Sequence, residues 1–189
     1  MICNKVEKCI EEQLVNQKTT ACVNKILYLI CDYPHKNIEC IEVSDNRSRI
    51  KCEERKKKYI LENTRKDHVI LYKMDGGIIP QDKSVPPGIC KCDYLFVLGG
   101  QECEAILTEL KGVDVAHSLK QIDGTLSQFK ALFSAFNHVY ARIIVASSTP
   151  NIKASPNYVN LVKKLRNNYR GNLKIAEKQL VEKDVDLLK

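Results

Sequence analysis

Asp93, Glu109 and Lys111 are the residues of this sequence whose types and spacing could do chemistry. They belong to two apolar runs, Cys92-Asp93-Tyr94-Leu95-Phe96-Val97-Leu98 and Ala105-Ile106-Leu107-Thr108-Glu109-Leu110-Lys111-Gly112. Runs of this kind read as strands of a sheet core, where charge is rare unless it is paired or binds a metal. Alternation puts Ala105, Leu107, Glu109 and Lys111 on one face, with Glu109 and Lys111 about 7 Å apart. A hairpin turning near residues 99–101 sets Asp93 opposite residues 107–109, so its carboxylate meets that of Glu109. Two converging carboxylates repel, and one tends to take a proton. A hard divalent cation removes the conflict, and magnesium accepts carboxylates, a backbone carbonyl and water. Such an ion polarises a phosphodiester and generates hydroxide from bound water, while a lysine stabilises the developing negative charge. The chemistry implied is metal-assisted phosphodiester hydrolysis. A bare Glu-x-Lys is more often a structural ion pair. Asp93, the apolar setting and the glycine and helix that follow shift the balance toward chemistry.

The elements around these residues must position them. Residues 1–16 read as an amphipathic helix, and Thr19 or Thr20 caps a second helix over 21–31. Residues 38–43 read as a strand and Ser44-Asp45-Asn46 as a turn. Residues 49–63 fit a helix or a hairpin, and we read strands. Residues 67–75 form a strand closed by Gly76-Gly77, and 76–90 a loop marked by Pro80, Pro86, Pro87 and Gly88. After the two charged strands, Asp114 caps a long helix. Its stripe of Val115, Leu119, Ile122, Leu126, Phe129, Phe133 and Phe136 advances in steps of four and three. Residues 139–146 form a strand rich in β-branched side chains. Ser155-Pro156 opens a last helix with Tyr158, Val162, Leu165 and Tyr169 inside and Gly171 at its end. Residues 172–177 give a short final strand. The expectation is one α/β domain over 1–189. Residues 1–63 contribute N-terminal helices and strands, and 64–189 form the core with a C-terminal helix.

The phrases Lys91-Cys92-Asp93-Tyr94-Leu95-Phe96-Val97 and Thr108-Glu109-Leu110-Lys111-Gly112-Val113-Asp114-Val115 resemble the motif region of the PD-(D/E)XK nuclease superfamily. The resemblance covers about residues 67–147. It implies a restriction-endonuclease-like core of helix, three-strand meander, long helix and strand, behind a helical N-terminal extension. It implies that Asp93, Glu109 and the Leu110 carbonyl bind magnesium, with manganese as a substitute, and that Lys111 is the catalytic lysine. Cys92 stands where a proline often precedes the first aspartate. A glutamate on the first core helix would be Glu7, Glu11, Glu12 or Glu62, and the sequence leaves that choice open. Gln121, on a polar face with His117, Gly124 and Gln128, sits where some relatives place a glutamine near the substrate. The implied activity is that of a nuclease, an endonuclease before an exonuclease. DNA is the first substrate, in restriction, repair or phage defence. An RNA- or tRNA-cleaving toxin and an inactive nucleic-acid-binding subunit are the alternatives.

Composition agrees with a polyanion partner. Net charge is +7, and between Arg47 and Lys73 ten Lys or Arg face four acids. No run is long and apolar enough for a membrane helix, so the expectation is a cytoplasmic protein without membrane partners. A homodimer, through the Phe129–Phe136 end of the long helix if exposed, or an immunity or assembly partner, stays open. The nine cysteines include no Cys-x-x-Cys, and reduced thiols are the expectation over structural zinc. His35, His68 and His138 lack partners at ligand or triad spacing. Asp75 reads as a turn former before Gly76.

Overall fold

The computed structural model describes residues 41–79, 88, 90–100, 102–134, 136–147 and 150–189. The helices read over 1–16 and 21–31, with Glu7, Glu11, Glu12 and His35, lie outside the described residues, as does most of the 76–90 loop.

The chain is mixed α/β, with two sheets. The larger sheet contains β1 (Ile41–Asp45), β4 (His68–Lys73), β5 (Tyr94–Gly99), β6 (Cys103–Leu110), β7 (His138–Val145) and β8 (Leu173–Glu177), in that spatial order. The pairs from β1 to β6 are antiparallel, and β6–β7–β8 are parallel. The smaller sheet pairs β2 (Arg49–Glu54) antiparallel with β3 (Lys57–Glu62), and β3 parallel with β9 (Gln179–Lys183). Helices α1 (Val115–Gln128), α2 (Lys130–Phe133) and α3 (Pro156–Tyr169) complete the main elements.

Alternation along the central strands feeds two separate cores. Ile70, Tyr72, Leu95, Val97, Ala105, Leu107, Val139, Ala141 and Ile143 pack with Leu119, Ile122, Leu126, Leu161 and Leu165 of the helices. Their neighbours Val69, Leu71, Phe96, Leu98, Ile106, Leu110, Tyr140 and Ile144 pack with Ile50, Cys52, Tyr59 and Leu61 of the small sheet. The large sheet is thus covered on both faces. That is why β5, β6 and β7 read as nearly unbroken apolar runs rather than as alternating ones.

The helices follow their signals, with two corrections. Asp114 caps α1 by accepting the His117 N–H at 2.9 Å, and Ser155 caps α3 by accepting from Tyr158. The long helix does not run to Phe136 but ends at Gln128, where Phe129 leaves helical geometry and α2 follows. Phe129, Phe133 and Phe136 are all buried in the helix-side core, which the break allows the chain to reach while turning into β7. That end of the helix therefore offers no exposed aromatic face to a second copy. At the end of α3 the left-handed residue is Arg170 (φ 49°), not Gly171. Gly171 serves close approach instead, since a Cβ there would lie 1.7 Å from the Val139 carbonyl oxygen.

Residues 49–62 form the hairpin β2–β3, as read from the sequence. Two smaller differences concern strands: residues 44 and 45 extend β1 rather than forming a turn, and β9 has no forecast in the local pattern. Glu62 lies on β3 and so is not a helix-borne acid.

The small sheet is tied to the large one through Arg142, fully buried on β7. Its Nε donates to Glu182 of β9, Nη1 to Asn172 Oδ1 at 2.7 Å and Nη2 to the Leu187 carbonyl at 3.1 Å. Lys174 reaches the other Glu182 oxygen at 2.7 Å. A buried charge with this many donors satisfied is tolerated. Among the described residues no helix is long and apolar enough to cross a membrane.

Gly171→Ala is the direct check on the α3–β7 approach. Overpacking of this kind costs about 1–3 kcal/mol. We expect the melting temperature to fall by about 2–4 °C for each kcal/mol lost.

Candidate functional site

β6 delivers Glu109 at its carboxyl end, fully buried, on the face that Ala105 and Leu107 share with the helices. The register Tyr94↔Thr108, carried one step further, sets Asp93 across from Glu109 as alternation requires. Asp93 itself stops just short of β5. Its N–H donates to the Thr108 carbonyl at 3.2 Å, and its own carbonyl accepts from Met74 at 2.9 Å. The backbone on both sides thus fixes where its side chain begins. Oδ2 of Asp93 accepts the Leu110 N–H at 2.6 Å, which leaves Oδ1 without that bond.

Lys111 follows β6. Its N–H donates to Ile144 of β7 at 3.0 Å, and its ammonium lies 3.3 Å from Glu109 Oε1 with the side chain 34 % exposed. This is an ion-pair contact. Neither Glu109 oxygen accepts an aligned hydrogen bond, although both are buried. Orphaned carboxylate oxygens at zero exposure are unusual and call for a missing cation or donor.

The electrostatics agree. Burial, reinforced by the Asp93 charge, pushes the Glu109 carboxyl up to about 8, with Lys111 pulling the other way. Burial also raises Asp93 to about 6, against the Leu110 N–H and Lys111 and with help from Glu54 and Asp75. Desolvation disfavours the Lys111 ammonium, but Glu109 and Asp93 outweigh it and hold the lysine above its ordinary value. Lys111 is therefore a cation at neutral pH and not a base.

Helix α1 moors the segment that carries Asp93. The Lys91 N–H donates to Gln121 Oε1 and the Cys92 N–H to Thr125 Oγ1, both at 2.9 Å. Between them, Gly124 receives Cys90, whose Cβ would stand 2.2 Å from a Cβ placed on the glycine. The close approach expected at Gly124 thus involves Cys90. Gln121, expected near the substrate, has its amide oxygen on Lys91 and its nitrogen 3.0 Å from His117. It acts on Asp93 through the intervening backbone. Thr125 and Lys91 were not singled out from the sequence. The signal available was Gln121, Gly124 and Thr125 forming one small polar notch within a turn of helix.

Other candidates have structural partners. Asp75 pairs with Lys91 at 2.9 Å, His68 meets Ser44 at 2.9 Å, and His138 bridges the Arg170 carbonyl and Glu102. Cys52, Cys90, Cys92 and Cys103 are free thiols. Among the described residues no three His, Cys, Asp or Glu side chains form a metal-binding group. Among the described residues, the candidate side-chain ligands at this site are Asp93 and Glu109. Those two still fit a divalent cation, because their repulsion and the two orphaned oxygens of Glu109 are what such an ion relieves. Compared with protein-family models, curated proteins and solved structures, the chain matches none.

In the unfolded chain Glu109 ionises near 4.5, whereas the folded chain holds its proton up to about 8. The folded form therefore binds more protons across that interval, and stability falls as pH rises through it. We expect metal-free Glu109→Gln to melt at least about 2 °C above the parent at pH 8, with the gap closing toward pH 4. Magnesium or manganese should raise the parent's melting temperature more at pH 8 than at pH 5, and should leave the variant's unchanged. Calorimetry across pH checks both.

Proposed function

We propose that this chain is a metal-dependent nuclease that hydrolyses phosphodiester bonds, with DNA as first substrate, in restriction, repair or phage defence. The observation that carries the reading is the fully buried Glu109 carboxylate opposite Asp93, without an aligned hydrogen bond and with the Lys111 ammonium 3.3 Å away as its ion-pair partner. The antiparallel run β4–β5–β6, followed by α1 and a parallel β7, supports a restriction-endonuclease-like core, since it matches the meander, long helix and strand of the order the resemblance implies. The excess of cations between Arg47 and Lys73 supports a polyanionic substrate.

Asp93 and Glu109 would hold a magnesium or manganese ion, with the Leu110 carbonyl as the implied backbone ligand. When bound, the ion supplies charge neutralisation at the phosphate and a more acidic water. Hydrolysis joins a water oxygen to phosphorus, breaks the bond from phosphorus to one sugar oxygen, and leaves that oxygen with a proton. Lys111 keeps its positive charge at neutral pH, lies 3.3 Å from Glu109 and is itself 34 % exposed. Its role is to compensate the negative charge that grows on the phosphoryl oxygens. Gln121, Gly124 and Thr125 hold residues 90–92 and so keep the Asp93 carboxylate at its distance from Glu109. A displacement of about 1 Å in such a support costs on the order of a hundredfold in rate.

A cleavage screen tests the reading. Plasmid, single-stranded DNA and total RNA are incubated with the protein and magnesium, or with chelator. We expect cutting with magnesium only, and losses of at least about a hundredfold in Glu109→Ala and Lys111→Ala with nucleic-acid binding retained. Equal cutting by parent and Glu109→Ala removes the carboxylate from the mechanism. Gly124→Ala should lower the turnover rate while leaving substrate affinity near the parent's, because it shifts Asp93 and not the binding surface.

A further inference from the structure

The hairpin joining β2 to β3 turns through two residues, Arg55 and Lys56, since Glu54 pairs with Lys57. Both have positive φ, 45° and 66°. A two-residue hairpin of the right twist demands this geometry, and Asn-Gly or Asp-Gly is the sequence that adopts it readily. Arg and Lys are poor choices on conformational grounds, because each sets a Cβ against its own backbone. Both are exposed, Arg55 with 86 % of its side chain in solvent, so packing gives no reason for them. The turn is nonetheless held: Lys57, itself buried, donates from Nζ to the Arg55 carbonyl at 3.3 Å. Cations in a strained turn, supported from beneath and packed against nothing, indicate selection for what the charges meet.

The fold fixes what lies near the tip. At its far end the hairpin is anchored where β4 begins and β5 ends, through the bond from Asn63 Nδ2 to the Asp67 carbonyl at 2.7 Å. Midway, Tyr59 packs edge-on to Phe96, with ring centroids 5.2 Å apart. From that contact β3 and β5 each have three residues left, about 10 Å of strand, before Lys56 and Asp93. The tip therefore overhangs the end of the large sheet at which Asp93, Glu109 and Lys111 gather. The field of Glu54, the residue before the turn, reaches both Asp93 and Lys111. Among the described residues Arg55 pairs only with Glu54, loosely and in solvent, at 3.7 Å. Pairs of that kind hold little free energy and leave the guanidinium available.

We propose that Arg55 and Lys56 form a phosphate clamp, gripping the nucleic-acid backbone beside the bond that the Asp93–Glu109–Lys111 site cuts. This rests on the nuclease reading and adds how the substrate is held. Arg55 offers a planar fork matched to phosphate oxygens and Lys56 a compact charge. Neither reads base identity, so the clamp fixes position and not sequence.

The test exploits the poor fit of Arg and Lys to this turn. In R55N/K56G the tip gains its preferred residues and loses both charges. Its melting temperature should rise by about 2–6 °C. Its binding to duplex DNA, followed by fluorescence anisotropy in chelator and in calcium at several salt concentrations, should weaken. The slope of log affinity against log salt should shrink by about 1.8, two phosphate contacts at about 0.9 each. R55Q/K56Q should lose the same slope without the thermal gain. Parent binding and cutting with an unchanged slope in both variants would overturn the clamp alone. A lower melting temperature in R55N/K56G would reassign the two residues to holding the turn, and also overturns it. No binding or cutting of DNA or RNA by the parent overturns the nuclease reading and the clamp with it.

Discussion

β6 is buried along its whole length, and an acid at its end has nowhere to send its charge. Helices cover one face of that strand and a second sheet covers the other, so water cannot solvate Glu109. Its oxygens accept no aligned hydrogen bond, Lys111 meets one of them only as an ion pair, and the neighbouring strand brings a second carboxylate. Lys111 offsets part of this cost from the strand's edge but not all of it, which is why Glu109 holds its proton far into the neutral range. The arrangement is poor for stability and suited to capturing a positive ion. Placement at the carboxyl ends of parallel strands is also where open α/β sheets hold their ligands.

Arg142 provides the internal comparison. It too is fully buried on a central strand. Around it, however, Glu182, Asn172 and the Leu187 carbonyl meet its guanidinium, and Lys174 completes Glu182. The same fold that satisfies one buried charge leaves another incomplete. Both sites are fully buried, so the difference lies in the residues supplied around each. Arg142 ties the small sheet to the large one and closes the C-terminal residues over the core. Glu109 stands at the carboxyl end of β6, with Lys111 as the neighbouring cation.

The small sheet has a second consequence. By packing β3 across β6 and β7 it carries the basic β2–β3 tip to the end of the large sheet where the carboxylates meet. Charge that in the sequence is only a dense stretch becomes, in the fold, a projection beside a candidate reaction centre. Helix α1 acts from the other layer, gripping residues 90–92 through Gln121, Gly124 and Thr125. Asp93 is thus held from three sides, by α1, β4 and β6.

What the sequence determined by itself was local and periodic. Alternation and a turn near residues 99–101 suffice to set Asp93 across from Glu109 and Lys111 two residues on, because side chains in a strand obey a period of two whatever the rest of the chain does. Caps at Asp114 and Ser155, and the hairpin over 49–62, were legible for the same reason. Tertiary structure alone decided the rest. The parallel pairing of β3 with β9 joins segments more than a hundred residues apart, and no local pattern encodes such a partner. The break at Phe129 and the close approach at Gly171 answer to packing against β7. The turn of Gln121 toward Lys91 depends on which loop lies over α1. Whether buried Glu109 would find a donor was likewise a question of three dimensions: periodicity says which way a side chain points, and only the assembled layers say what waits there.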